Sequence, residues 1–336
     1  MTVINRRQVK QAMKKCKYYS IFIFGIFICI FIFCSCSGSY DTEDVQINPK
    51  NEKREGMAID AELLKITEKV PFGSMTAEPK LIEADWSEYF SGLNGAAVIY
   101  DASNRQYMIH NNGLAMTQRS PCSTFKIISS LIALENGILE PADSTRVWSG
   151  EVFWNEDWNK DIDFSEAFRT SCVWYYRQVI DDIGKEMMQM ELNELQYGNC
   201  DISDWEGRWN TNNNNRALTG FWIESSLMIS PKEQVEVMER IFGENSDYSE
   251  KTRKELKQVM LVAEQESTNI SIYGKTGMGK ANGIVVDAWF TGFAESEEGN
   301  LYFCVYLGRT DDMNVSSSLA KEIAVQIIAD YYGKST

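Results

Sequence analysis

The sequence predicts a mixed α/β (α+β) fold, in which helices flank an antiparallel sheet and a helical lobe lies beside it. Two groups of β-rich runs predict the sheet, one over residues 96–109 and one over residues 271–307. The chain between them carries mostly helical patterns. Strands near both ends of a domain that enclose a helical middle favour this architecture over an all-α or all-β one.

The first group of runs predicts a hairpin. Residues 96–100 and 106–109 are apolar, and the turn-forming residues 101–104 separate them. In the second group, residues 271–273, 283–294 and 301–307 are separated by turns that contain Gly and Asn. This spacing predicts an antiparallel meander.

Helical periodicity with start or stop signals marks several segments of the chain. The predicted helices span residues 127–135, 163–170, 173–183, 231–242, 249–263 and 318–332. Residues 197–219, rich in Asn, Asp, Gly and Trp, predict a long irregular loop. Such loops in compact domains are usually functional.

The first 36 residues predict a targeting segment. A basic region without acidic residues precedes an uncharged apolar run over residues 21–34. This run is short for a membrane-spanning helix and suits the core of a signal segment. Cys36 follows small residues, as in a bacterial lipoprotein cleavage site, so we expect it to be lipidated; an uncleaved membrane anchor is the alternative. Both place the protein outside the cytoplasm, with residues 37–75 as a polar tether and residues 76–336 as the catalytic domain.

Charge and cysteine content restrict the partners and the metal chemistry. The net charge of −15 argues against nucleic acid or an anionic membrane surface as a partner. One histidine and no C-x-x-C pair argue against a zinc site, so no metal is expected. After residue 36, Cys122, Cys172, Cys200 and Cys304 remain. We expect buried free thiols, with a Cys122–Cys172 disulfide as the alternative.

Ser123 and Lys126 place a hydroxyl and an amine three residues apart at a predicted helix start. Residues at i and i+3 share a helix face, so the amine can lie beside the hydroxyl. Serine needs an adjacent base in order to attack an acyl group at neutral pH. The single histidine, His110, lies where a strand enters a turn, and we expect an ordinary surface residue there. Serine chemistry in this chain should therefore use lysine.

Two further motifs accompany this pair. Lys275-Thr276-Gly277 is predicted to end the first strand of the meander, where its cation and hydroxyl could bind a substrate carboxylate. The adjoining strand edge could pair with an acyl-amide substrate. Ser171 offers a second hydroxyl at a break between two predicted helices.

These motifs, in this order, resemble those of penicillin-recognising serine enzymes, and in detail those of class D serine β-lactamases of the Gram-positive type. The resemblance covers about residues 90–330 and implies the serine β-lactamase/penicillin-binding transpeptidase-like fold. The matching segments are residues 121–126 (PCSTFK), Ser171-x-Val173, Tyr197-Gly198-Asn199, residues 221–226 (FWIESS) and residues 273–277 (YGKTG).

The resemblance also implies roles for individual residues. Ser123 is the expected nucleophile, and Lys126 the general base after CO2 converts it to N6-carboxylysine. The Trp222 indole N–H is expected to hold this carbamate, and Ser171 to relay a proton to the lactam nitrogen. Apart from CO2 or bicarbonate, no cofactor is expected.

Further residues are expected to shape the site. An apolar pocket of Phe125, Val173, Trp222 and Ile223 should lower the pKa of Lys126. On the substrate side, the resemblance points to Lys275, Thr276 and Gly277. The backbone N–H groups of Ser123 and Met278 would form the oxyanion hole.

The expected function is hydrolysis of β-lactam antibiotics through an acyl-serine intermediate. The main alternative is a membrane-anchored β-lactam sensor that is acylated without turnover, and a cell-wall peptidase is a third reading. A class A mechanism is disfavoured because Gln189 stands where its loop glutamate would be. Many relatives use an arginine near the final helix to bind the substrate carboxylate. That arginine is missing, and Lys321 or Arg309 could replace it.

Overall fold

The computed structural model describes residues 78–208, 215–265 and 269–333. The predicted signal segment with Cys36 and the predicted tether lie outside these ranges. Among the residues described, no helix has both the length and the apolar character needed to span a membrane.

A seven-stranded sheet organises the described residues, in the order β1-β3-β2-β7-β6-β5-β4. Neighbouring strands are antiparallel except β1 and β3, which run parallel. The strands are β1 (Lys80–Glu83), β2 (Gly95–Asp101), β3 (Gln106–His110), β4 (Leu261–Gln265), β5 (Ile270–Ala281), β6 (Ile284–Ser296) and β7 (Gly299–Gly308).

Both predicted strand groups are confirmed, and they join in one sheet. The β2–β3 hairpin pairs Tyr100 with Tyr107, and β5, β6 and β7 form the meander. The two groups meet where β2 pairs with β7, with Tyr100 opposite Tyr302. The short edge strands β1 and β4 were not predicted from the sequence. The predicted mixed α/β fold is confirmed.

Helices cover both faces of this sheet. They are α1 (Ser87–Phe90), α2 (Asn112–Ala115), α3 (Lys126–Glu135), α4 (Phe164–Arg169), α5 (Val173–Ile183), α6 (Lys185–Leu195), α7 (Pro231–Phe242), α8 (Glu250–Met260) and α9 (Ser317–Gly333). The start of α7 shows why the sequence specifies it. Pro231 occupies the first turn, and Ser230 and Glu233 form a reciprocal capping box.

Two sequence predictions about element ends are wrong. The helix predicted over residues 249–263 stops at Met260, because Leu261 is extended and begins β4, where it pairs with Tyr273 of β5. The Lys275-Thr276-Gly277 motif does not end a strand. It lies inside β5, which continues to Ala281.

Alternate residues of the central strands face two separate cores, as the pleat of a β-strand requires. On β2, Val98 and Tyr100 belong to the core shared with α3, α5 and α7. Ala97 and Ile99 belong to the core on the opposite face, which α9 covers. A strand buried on both faces reads as a continuous apolar run, which explains the composition of residues 96–100.

Candidate active site

Ser123 lies in a short 3-10 turn, Cys122–Phe125, that leads directly into α3. The Lys126 ammonium donates a hydrogen bond to the Ser123 hydroxyl at 3.0 Å. Cys122, immediately before the serine, has a left-handed backbone with φ +49°. Such a conformation costs energy in a non-glycine residue and persists only where the surroundings hold it. We call residues 121–125 the serine turn.

The loop around Trp222 supplies part of this support. The Trp222 carbonyl accepts hydrogen bonds from the Cys122 backbone N–H at 3.0 Å and from the Ser120 hydroxyl at 2.9 Å. The Ser120 hydroxyl in turn accepts from the Glu224 backbone N–H at 2.8 Å. The serine turn and the Trp222 loop are therefore fixed to each other through their backbones.

Strand β5 supports the serine turn from another side. A Cβ atom added at Gly277 would lie 2.9 Å from the Thr124 methyl group and 3.0 Å from the Pro121 carbonyl oxygen. A larger residue at position 277 would push the strand away from the turn. Glycine is therefore needed here for close approach, and this approach brings the Lys275–Met278 segment beside Ser123.

The edge of β5 over residues 275–278 is not paired with β4. In the described residues, β4 pairs with β5 only over 270–273. The other edge of β5 pairs with β6 along its whole length, with Met278 opposite Ala288. The backbone N–H and C=O groups on this edge, beside the serine turn, therefore form no hydrogen bonds with β4.

Lys126 is a buried cation. Its side chain is 1% exposed, and its ammonium lies 5.3 Å from the centre of the Tyr176 ring. Burial lowers the pKa of Lys126 to about 8, and the neighbouring Cys172 and Cys122 act weakly in the opposite direction. The direction agrees with the sequence-based expectation, because an apolar environment disfavours the charged form.

The four predicted pocket residues pack on the same core. Phe125 and Trp222 are buried, and their rings stack with centroids 6.2 Å apart. Val173 and Ile223 are partly buried against this core. Trp222 is also fixed by Gly220, where an added Cβ would lie 1.9 Å from the indole ring. The indole position is therefore closely determined by its neighbours.

Lys275 is a second buried lysine. It is 5% exposed, and its ammonium donates to the Thr276 carbonyl at 3.2 Å and to the Thr276 hydroxyl at 3.3 Å. Burial, and then the nearby charge of Lys126, lower the pKa of Lys275 to about 7. An anion bound beside Lys275 would favour its ammonium form, because an opposite charge nearby stabilises the charged state.

Ser171 lies at the predicted break between two helices, which the structure confirms as α4 and α5. Its backbone is left-handed, with φ +60°, and its N–H donates to the Phe168 carbonyl at 3.3 Å. The ring of Phe168 lies 5.7 Å from the Lys275 ammonium. Ser171 and Lys275 thus share Phe168 as a neighbour.

The chain matches the penicillin-binding protein transpeptidase domain over residues 95–329. It belongs to this family. Relatives include the probable β-lactamase YbxI of Bacillus subtilis, 32% identical, with 72% of this chain and 82% of that protein covered. β-lactamase OXA-1 of Escherichia coli is also 32% identical, with 72% of this chain and 86% of that protein covered. The regulatory protein BlaR1 of Bacillus licheniformis is 28% identical, and the chain covers only 38% of its length.

The solved structures that resemble this chain are β-lactamases and a penicillin-receptor domain. The class D β-lactamase from Bacillus subtilis matches with a TM-score of 0.62 at 30% identity, covering 74% of this chain and 95% of that one. The C-terminal domain of the Bacillus licheniformis BlaR penicillin receptor matches with a TM-score of 0.66 at 27% identity, covering 76% and 98%. The resemblance to class D β-lactamases and the penicillin-binding transpeptidase-like fold are both confirmed.

Within this transpeptidase-family domain, the single histidine takes no part in the site. His110 ends β3 and is partly buried, with its ring stacked on Phe90 at 4.7 Å. Three strands separate β3 from β5 in the sheet, which at about 4.8 Å per strand places them roughly 19 Å apart. At this distance His110 cannot act as a base for Ser123, and the use of lysine in its place stays a prediction.

The four cysteines of the described residues are free thiols, so the Cys122–Cys172 disulfide is not formed. Cys122, Cys172 and Cys304 are buried as expected, whereas Cys200 is only partly buried. Burial raises the pKa of both of these thiols to about 12, so neither is a reactive thiolate at neutral pH. In the described ranges, no three His, Cys, Asp or Glu side chains group as metal ligands.

Many relatives bind the substrate carboxylate with an arginine that this chain lacks. The prediction that Arg309 or Lys321 takes its place stays a prediction. Arg309 follows β7, and its guanidinium donates to the Asn314 side-chain oxygen at 2.6 Å. Lys321 lies in α9 and is half-buried.

Two residues near Trp222 were not predicted from the sequence. They are Ser120 and Arg177, both of which contact Trp222. Of the two, only Arg177 stands out in the sequence, because it is a charged residue that directly follows three aromatic residues in a predicted helix.

Proposed function

We propose that this protein hydrolyses β-lactam antibiotics through an acyl intermediate on Ser123, with Lys126 as the general base. One observation carries the proposal: a buried lysine amine, with its pKa lowered to about 8, lies 3.0 Å from the serine hydroxyl. The β-lactamase and penicillin-receptor relatives support β-lactams as the ligands.

Acylation uses groups already beside the serine turn. Lys126 accepts the hydroxyl proton while Ser123 Oγ bonds to the lactam carbonyl carbon. The backbone N–H groups of Ser123 and Met278 would hold the developing oxyanion. When the carbon–nitrogen bond of the lactam breaks, Ser171 passes its proton to the leaving nitrogen and takes the proton that Lys126 holds, which returns Lys126 to its base form. In deacylation Lys126 accepts a proton from the water that attacks the ester, and it returns this proton to Ser123 Oγ as the ester bond breaks.

The residues around Lys126 suit its carboxylation. A buried amine with a lowered pKa is partly neutral near physiological pH, and only the neutral amine can combine with CO2. Bound as a carbamate, CO2 would supply a base that carries a negative charge at neutral pH. Lys126 would hold this group, and Trp222, packed against Phe125, is the residue proposed to donate a hydrogen bond to it.

Lys275 and Thr276 would bind the substrate carboxylate. An anion beside Lys275 favours the ammonium form and would raise its pKa from about 7. The adjoining 275–278 edge would pair with the amide of the substrate side chain. Gly277 keeps this edge close enough to Ser123 for one substrate to reach both.

The proposal includes a location outside the cytoplasm. The basic and apolar character of residues 1–36 supports an export signal, and Cys36 is the proposed lipidation site that would anchor the protein to the membrane.

A sensor is the second candidate, because the BlaR penicillin-receptor domain is also similar to this chain. A sensor would be acylated at Ser123 and would then hardly deacylate. Val173 favours hydrolysis, since sensors usually carry a polar residue at this position. Here Val173 is apolar and packs against the core that surrounds Lys126.

Turnover separates the two candidates. We expect the purified full chain in detergent to convert many equivalents of a chromogenic cephalosporin per protein molecule, measured by absorbance. Labelling of one equivalent followed by no further conversion would favour the sensor. A Ser123→Ala variant is the control for background hydrolysis.

Bicarbonate should raise the activity. With a pKa of about 8, roughly one-tenth of Lys126 is neutral at pH 7, against less than a thousandth for an ordinary lysine. We expect protein prepared in bicarbonate-depleted buffer to be slow and to recover when bicarbonate is added, measured by initial rates. Equal rates across the titration would count against carbamate chemistry while leaving acylation at Ser123 in place.

A further inference from the structure

A buried guanidinium lies against Trp222. Arg177, in α5, is 2% exposed, and its Cζ atom is 5.7 Å from the Trp222 ring centre and 5.5 Å from that of Trp205. One of its terminal nitrogens donates to the Trp205 carbonyl at 2.9 Å. The cation thus contacts two aromatic rings of the loop that carries the proposed carbamate donor.

Asp181 neutralises this cation and connects it to the loop. Arg177 donates to Asp181 at 2.5 Å, and Arg216 donates to the same carboxylate at 2.7 and 3.0 Å. Arg216 also pairs with Glu206 at 2.6 Å. These bonds attach α5 to residues on both sides of the loop segment 209–214. Arg177 is the inner cation of this network and Arg216 the outer one.

A purely structural contact would not need a buried charge. Removing a guanidinium from water is costly, and an apolar side chain of similar size often fills such a site equally well. Arg216 and Asp181 can hold the loop to α5 without Arg177. The charge of Arg177 lies where it can act on both aromatic rings, Trp205 and Trp222.

We propose that Arg177 is a positioning residue, which orients the Trp222 indole and strengthens its N–H as the hydrogen-bond donor to carboxylated Lys126. The inference rests on the proposed function. A cation over an indole face attracts the π electrons, which fixes the ring and makes its N–H a better donor. Trp222 stacks on Phe125, the residue before Lys126, so a shift of the indole also reaches the base.

The test is a bicarbonate titration of activity with the full-length protein. Arg177→Met fills the space without a charge and leaves Asp181 paired with Arg216. We expect it to need about three- to tenfold more bicarbonate for half-maximal activity, the size of a cation–π contact, with most of the kcat recovered at saturation. Arg177→Lys retains the charge, and we expect a smaller shift.

Arg216→Gln is the matched control, because it breaks the same network at Asp181 without touching Trp222. We expect its half-saturating bicarbonate concentration to equal that of the unmodified protein. An equal shift in the Arg216 and Arg177 variants, or a loss of kcat at every bicarbonate concentration, would overturn the proposal and leave Arg177 a structural residue.

Two further outcomes are distinguishable. If the unmodified protein itself shows no bicarbonate dependence, carbamate chemistry fails and the role of Arg177 fails with it. If Arg177→Met does not fold, as judged by far-UV circular dichroism, Arg177→Gln decides, because it removes the charge but keeps an N–H donor for the Trp205 carbonyl. An increased half-saturation with kcat retained supports the proposal, and an unchanged value contradicts it.

Discussion

Replacing Lys126 with alanine is expected to lower turnover of a chromogenic cephalosporin by about 10²–10⁴-fold, the usual contribution of a general base. The Ser123 hydroxyl would lose the amine that lies 3.0 Å away, and water in the deacylation step would lose the same proton acceptor. Steady-state rates give the size of the loss. Intact-protein mass spectrometry shows whether the acyl form accumulates on Ser123 or never forms.

Lys257→Ala is the control for this variant. Lys257, in α8, is a partly buried lysine whose ammonium pairs with Glu295 at 2.5 Å and lies over the Tyr273 ring. Its turnover should stay close to that of the unmodified protein. Near-normal turnover by Lys126→Ala would remove Lys126 from the mechanism.

Replacing Lys126 with methionine is expected to stabilise the fold while it abolishes turnover. The pKa of Lys126 falls from 10.5 in the unfolded chain to about 8 in the folded one, so the buried ammonium opposes folding. At 1.36 kcal/mol per pKa unit, this fall of about 2.5 units corresponds to a gain on the order of 3 kcal/mol below pH 8. Methionine fills the space that the lysine stem occupied, so the cavity cost stays small.

The pH dependence of the stability difference between Lys126→Met and the unmodified protein tests whether the buried ammonium opposes folding. Between pH 8 and 10.5 the unfolded chain binds more protons than the folded one, so the stability of the unmodified protein rises with pH relative to the variant. The advantage of Lys126→Met should be full below pH 8 and should shrink above it. Urea denaturation in bicarbonate-free buffer at several pH values measures this. A variant that is less stable at pH 7, or an advantage independent of pH, contradicts the assignment.

The predictions that succeeded rest on local rules. Ser123 and Lys126 meet because residues three apart share a helix face, and that geometry needs no distant partner. The β2–β3 hairpin and the meander follow from apolar runs separated by turn residues. The break at Ser171 follows from two helical patterns that do not join.

The predictions that failed depend on distant contacts. The sequence predicts a strand end at Lys275-Thr276-Gly277, yet β5 continues and needs glycine at 277, because the Thr124 methyl group lies 2.9 Å from where a Cβ would be. Leu261 leaves the helical conformation because β5 offers it a partner at Tyr273. Arg177 reaches Trp222 and Trp205 only after α5 and the loop have packed together.

The pairing of β2 with β7 joins segments that lie far apart in the sequence. Tyr100 finds its partner at Tyr302, so the centre of the sheet forms only after nearly the whole chain has been made. A lone hairpin such as β2–β3 is marginal in water, and pairing between distant segments is slow. An unfinished chain would therefore have its Ser-x-x-Lys segment without the β5 support that fixes it. For the export proposed from residues 1–36, this order of events would mean that the site is assembled only after the whole domain has been delivered.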